Sequence, residues 1–258
     1  MRQALAADTL MSLIFEQYTM KINPKLMAVA GLLAVWQLAH AADITGTVAL
    51  KGTPPPEKEI TPLKEDATCG KLQSGTPMTR FYAVGAGGGL ADVVVMLKGV
   101  SGKSTGASAP ALEVDQKGCV YHPQIFAVQT GQKISVKNSD PVMHNIHTQP
   151  AVAGNDEKNE AQMAGAADKT FAFAKPENFV KFKCDVHPWM FAWATVVDHP
   201  YFAVTDKDGK FKIKDVPPGK YTISALHRKA SPAGVDQEIE VKADGAKADF
   251  TLEVPAAK

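Results

Sequence analysis

The stretch FVKFKCDVHPWMFAWATVV, residues 179–197, decides how this chain is read. Phe179 to Lys183 alternates as a strand, and the two-residue period puts Val180, Phe182 and Cys184 on one face. Phe191 to Val197 reads as a second strand. Cys184-Asp185-Val186-His187-Pro188-Trp189-Met190 is therefore a tight loop between strands, offering a thiol, an imidazole and a thioether. Pro188 stiffens it by fixing φ, and Trp189 can shield it from water.

Working outward, the next chemistry is in Met143-His144-Asn145-Ile146-His147. A thiolate, two imidazoles and a weak axial thioether are the donors of a blue-copper electron-transfer site. His144 and His147 compete for the second imidazole. Along a strand they point to opposite faces, so one alone can join the site. His144 is favoured, because Asn145 beside it can tie this segment to the Cys loop by hydrogen bonding. The expected centre is one type 1 copper held by His144, Cys184, His187 and Met190, supported by Asn145, Pro188 and Trp189. Zinc would call for more Cys or His and no Met. A two-copper centre would need a second Cys on the loop. A trinuclear oxidase cluster would need several His-x-His pairs, which the chain lacks, so no enzyme is expected. His122, His199 and His227 read as surface or packing residues.

The context suits such a centre. The chain has 258 residues, 45% hydrophobic and 21% charged, with formal net charge +1. That balance is ordinary for a globular protein and gives no basic surplus for nucleic acid. Residues 1–41 read as an over-extended start followed by a signal peptide. Met20 is the expected true start. Lys21 and Lys25 form the charged region, Leu26 to Ala39 the apolar run, and Ala39-His40-Ala41 the cleavage site. The apolar run is too short to span a bilayer, so a periplasmic or secreted protein is expected, not a membrane-spanning one. Of three cysteines, Cys184 is claimed by the metal reading. Cys69 and Cys119 remain as an even pair in an oxidising compartment, and a disulfide between them is expected. A disulfide that used Cys184 would abolish the site.

The whole chain reads as all-β, punctuated by Gly and Pro. Expected strands are Ile44–Leu50, Val93–Leu97, Gln124–Gln129, Lys133–Lys137, Phe179–Lys183, Phe191–Val197, and four more after Pro200. Residues 57–80 read as a long polar loop, 101–110 as a flexible linker, and Glu157–Met163 as a short helix. Gly102-Lys103-Ser104 mimics a phosphate loop, but Leu97 stands where the motif needs its first Gly. Asp206 and Asp208 lack the glutamate of a calcium loop and read as turn residues.

Two resemblances follow. Tyr121-His122-Pro123-Gln124-Ile125, Met143–His147 and Cys184–Met190 make residues 111–199 resemble a cupredoxin of the amicyanin/plastocyanin type. That implies a Greek-key β-sandwich, the ligands His144, Cys184, His187 and Met190, and His187 as the solvent-edge ligand through which electrons pass. Thr205–Phe211 and Val216–Tyr221 make 200–258 resemble a carboxypeptidase regulatory-like domain, a smaller, transthyretin-like β-sandwich of the carbohydrate-binding-like fold. Ile44–Val48 resembles that family's opening strand. Segment 42–110, with its linker, either extends the cupredoxin or has its 43–98 portion paired with 201–253. The expected function is single-electron transfer between redox partners, a dehydrogenase or cytochrome. The alternative is a cell-envelope module binding glycan or protein, with a structural or vestigial metal site.

Overall fold

The computed structural model describes residues 40–256, so the expected signal peptide lies almost wholly outside the described residues. In chain order the strands are β1 (Ala42–Lys51), β2 (Val94–Lys98), β3 (Leu112–Lys117), β4 (Val120–His122), β5 (Ile125–Gln129), β6 (Ile134–Asn138), β7 (His144–Gln149), β8 (Lys158–Gln162) and β9 (Lys169–Phe171). They continue with β10 (Glu177–Lys183), β11 (Phe191–Val197), β12 (Phe202–Val204), β13 (Lys210–Val216), β14 (Gly219–His227), β15 (Ser231–Val241), β16 (Ala246–Lys247) and β17 (Phe250–Glu253). Among the described residues no helix is long and apolar enough to cross a membrane.

Two sandwiches result. In the middle of the chain, a sheet ordered β5-β11-β10-β7-β8 faces a sheet ordered β4-β3-β6-β9. The near-continuous apolar run of β11 lies between β5, its parallel partner, and β10, its antiparallel one. Val180, Phe182 and Cys184 turn inward from β10, as the alternation requires. Phe182 is fully buried, with the rings of Phe126, Phe171 and Phe173 edge-on around it. Cys184 and Met190 belong to this same core.

The second sandwich is built from both flanks. β1 pairs antiparallel with β13, and β2 with β14. Ile44, Val48, Val95 and Leu97 share one core with Ile213, Ile223, Val241 and Leu252. Segments 42–98 and 202–253 thus close on each other, and residues 112–197 form the other sandwich between them in the chain. The Asp206–Gly209 turn fits this packing. Asp206 Oδ1 accepts the N–H of Asp208 and of Lys210, each at 2.9 Å. Gly209 has φ +75° and its Cα sits so close to the Val48 carbonyl that a Cβ would stand 2.4 Å from the oxygen, so only Gly fits there.

Three local expectations are corrected. Residues 158–162 form strand β8, not a helix, because they pair with the edge of β7 from Thr148 to His144. Buried Gln162 then anchors β8, donating to the Val136 carbonyl at 3.0 Å and accepting from Gln116 at 2.7 Å. Residues 101–110 are docked, not a free linker. Ser104 Oγ donates to the Thr130 carbonyl, and Thr105 N to Gln129 Oε1. Residues 57–80 are a folded segment with a short helix, α1 (Thr61–Glu65), and a 3-10 turn at Cys69–Leu72. Leu63 and Cys69 are fully buried there, the apolar points that polar neighbours disguised.

His227, read as surface or packing, is a packing residue, 3% exposed. Burial pushes its imidazole down to about 4. The N–H groups of Lys229 and Ala230 point at its Nδ1, which must stay unprotonated to accept them. The unfolded imidazole titrates near 6.5, so from there down to about 4 the unfolded chain binds a proton that the folded chain does not. Stability should therefore fall as pH drops through that window, by roughly 3 kcal/mol at most. Urea midpoints measured across it should show the loss. His227→Gln, which can still accept the backbone bonds, should flatten it.

Candidate metal centre

The ligand loop is short because its ends hydrogen-bond to each other. Cys184 N donates to the Met190 carbonyl at 3.1 Å, and Met190 N to the His187 carbonyl at 2.9 Å. Met190 is fully buried and Cys184 is 1% exposed. On the neighbouring strand, β7 begins with His144, also fully buried. The two strands bring Cys184, His187 and His144 together, with one donor atom from each all within 4.8 Å of one another. The His144 and His187 Nδ1 atoms lie 3.0 Å apart, and Cys184 Sγ is 3.6 Å from His187 Nδ1. Met190 completes the loop at the start of β11.

Each donor is oriented by a neighbour. Asp140 Oδ2 stands 2.9 Å from His144 Nε2. A carboxylate accepts from an N–H there, so in the neutral ring Nδ1 is the free acceptor, facing His187 and the thiol. Asn145 joins the two segments, as the sequence suggested. Its Oδ1 accepts the Asp185 N–H at 2.6 Å and the Cys184 thiol at 3.3 Å. Its backbone N–H points at Cys184 Sγ from 3.5 Å. His147 lies on the other side of β7, as strand alternation requires, held between Asp185 and Glu157.

The electrostatics match. Burial alone would raise the Cys184 thiol, but His144 and the N–H groups of Asn145, His187 and Val186 outweigh it and hold the thiol below its ordinary value. Burial likewise opposes charge on His144, yet Asp140 and Cys184 raise it to about 9. His187 is lowered by burial and by the charge of His144. A soft sulfur and two imidazole nitrogens converging in a buried place, with one ring locked in the tautomer that frees Nδ1, fit copper better than a hard cation.

His187 is 7% exposed, the most exposed of the four expected ligands, against 1% for Cys184 and 0% for His144 and Met190. Cys69 and Cys119 form the expected disulfide, with Cα atoms 5.7 Å apart. Their sulfurs and a His187 ring nitrogen lie within 4.8 Å of one another. Leu63, Cys69 and Cys119 form a small apolar cluster against which Ile60, Val120, Val142 and Trp189 pack. Trp189 Nε1 donates to the Cys119 carbonyl, and its ring lies 5.2 Å from that of His187. Pro188 stays exposed at the loop tip.

Two contributors escaped the sequence reading. Asp140 appeared only as part of a turn, although its place four residues before His144 was visible. Tyr121 is fully buried, and its hydroxyl donates toward the carbonyls of Asn145 and Lys183 at 3.3 Å each, spanning both ligand segments.

Residues 109–197 match the family model described as copper binding proteins of the plastocyanin/azurin family. No curated protein matches the chain. Similar solved structures include a purple cupredoxin from Nitrosopumilus maritimus, 19% identical, covering 33% of this chain and 98% of that one, TM-score 0.28. A copper(I) amicyanin variant is 19% identical, covering 40% of this chain and 97% of that one, TM-score 0.30. A copper-containing nitrite reductase from Thermus scotoductus SA-01 is 18% identical over 34% of this chain, TM-score 0.30, and the match spans 22% of that enzyme.

The Asp140–His144 contact makes a testable prediction. In copper-free protein the Cys184 thiolate should form below the ordinary thiol range. Asp140→Asn weakens the imidazolium that stabilises it, so the midpoint of the ultraviolet thiolate absorbance should move upward. An unchanged midpoint would mean that the backbone N–H groups alone set it.

Proposed function

We propose that this chain is an exported type 1 copper protein that carries single electrons between redox partner proteins of the cell envelope. The observation that carries this reading is the convergence of Cys184 Sγ and the Nδ1 atoms of His144 and His187 in a buried site. The family match over 109–197 supports copper, and the signal-like sequence of residues 20–41 supports export. Copper bound here would supply a one-electron couple.

What the chain contributes is rigidity and dryness. Asp140 fixes the His144 ring. Asn145 holds the Cys184 loop against β7 from both its backbone and its side chain. The paired backbone bonds at Cys184 and Met190 leave the loop little slack. Trp189, Leu63 and the disulfide keep water from His187. A site that cannot relax changes shape little between charge states, which suits electron transfer rather than substrate turnover. No observation on the outer sandwich favours the glycan-binding alternative.

Copper(II)-loaded protein should be intensely coloured by thiolate-to-copper charge transfer, and Cys184→Ser should remove that band while leaving the fold intact by circular dichroism. A visible and electron paramagnetic resonance spectrum decides it: a colourless copper-loaded protein, or a band that survives Cys184→Ser, sinks the reading.

A further inference from the structure

The Cys69–Cys119 pair is redox chemistry buried beside an expected ligand. Both cysteines are 0% exposed. Residues 57–80 fold as a cap that carries Cys69, and Cys119 lies in the turn between β3 and β4 of the inner sandwich. Their sulfurs and a His187 ring nitrogen lie within 4.8 Å of one another, and His187 also belongs to the group formed with His144 and Cys184. One imidazole is thus shared by the candidate centre and the sulfur pair.

Neither cysteine depends on the sulfur bond alone for its place. The Cys119 N–H donates to Asp140 Oδ2 at 2.7 Å, and its carbonyl accepts Trp189 Nε1 at 3.1 Å. The Cys69 N–H donates to Asp66 Oδ1 at 2.7 Å, and its carbonyl accepts Gln73 Nε2 at 3.0 Å. The same Gln73 amide donates to the Gly118 carbonyl at 2.8 Å, so the two backbones are tied together without sulfur. Leu63 joins the pair in one buried cluster, and Ile60, Val120 and Val142 pack against it. Two thiols held in these positions would face each other and His187. They would be shielded from any external thiol or disulfide, because exchange needs direct attack at sulfur. An electron needs no such contact.

We infer a further activity: a folded chain with Cys69 and Cys119 as thiols closes its own disulfide by passing electrons through His187 to bound copper(II). The inference rests on the copper reading. The reaction balances as two one-electron transfers. One thiolate gives up an electron, and the resulting thiyl sulfur bonds to the neighbouring thiolate, which makes a disulfide radical anion. A one-electron oxidant then restores copper(II). The radical anion gives up the second electron and leaves the neutral disulfide. Both protons go to water, and the oxidant gains two electrons in all once the centre is oxidised again. A redox partner that accepts electrons from the centre can serve as that oxidant. The neighbouring sulfur decides the product, since a thiol oxidised alone goes on to sulfenic acid.

Counting electrons tests it. The chain is refolded under nitrogen with its thiols reduced, loaded with one equivalent of copper(I), and titrated with ferricyanide. It should consume about three oxidising equivalents, one at the centre and two at the pair, and Cys69→Ser/Cys119→Ser should consume about one. A maleimide added after denaturation should then label Cys184 but neither Cys69 nor Cys119 in the wild-type chain. The rate should not depend on protein concentration, as an intramolecular step requires. Metal-free dithiol protein in the same ferricyanide should close its disulfide about a hundredfold more slowly, because buried thiols are inert.

A coloured wild-type protein that consumes one equivalent and keeps Cys69 and Cys119 open to the label overturns the inference and leaves the copper reading standing. Equal rates with and without copper, or a rate that rises with protein concentration, also overturn it. A chain that takes up no copper overturns both readings. If the double serine variant fails to fold, labelling of the wild-type chain with and without copper still decides the matter.

Discussion

The Asp140 carboxylate is the constraint on which the centre depends. One oxygen accepts the Gly118 N–H at 2.6 Å, and the other accepts the Cys119 N–H at 2.7 Å and lies 2.9 Å from His144 Nε2. Buried carboxylates are costly unless their acceptor sites are filled. Here three donors fill them, and they come from the disulfide turn and from His144. Although burial works against its charge, those bonds and the His144 imidazole hold Asp140 below its ordinary value. The same group thus sets the His144 tautomer and the position of Cys119, which carries φ +55°. Cap, disulfide and ligand meet at one side chain.

That arrangement explains how a chain with two cores supports one site. The inner sandwich holds Cys184 and Met190 in its apolar core, while the donors of His144 and His187 sit at its end. The outer sandwich has a core of its own, yet its segments reach the centre twice. Residues 57–80, between β1 and β2, cover His187. The β14–β15 turn lays Arg228 over Trp193 and Phe191. The flanking sandwich, for which composition suggested no task, therefore lies beside the candidate ligand loop in two places.

The legible parts were those fixed by local pattern. Two-residue alternation in 179–183 placed Val180, Phe182 and Cys184 on the inward face. The spacing of Cys184, His187 and Met190 marked the loop, and the opposite facing of His144 and His147 followed from strand geometry. The Cys69–Cys119 bond followed from counting once Cys184 was assigned. Less legible were segments whose state is set by a distant neighbour. Residues 158–162 look helical by composition, but the free edge of β7 makes them a strand. Segment 57–80 looks like an open loop because only Leu63, Cys69 and Ile60 supply apolar contacts, and their partners lie at 119–120, 142 and 189.

By itself the sequence determined the all-β class and the pairing of cysteines, and it singled out the candidate donors, because each depends on residue type and short spacing. Only the tertiary structure decided that β1 pairs with β13, that Asp140 supports His144, and that His187 is covered. These rest on contacts between residues far apart in the chain, where burial and hydrogen-bond satisfaction, not local pattern, select the partner. The exposure of a ligand is the clearest case. His187 has the same neighbours in sequence whether its ring faces water or a disulfide, and only packing from a remote segment distinguishes the two.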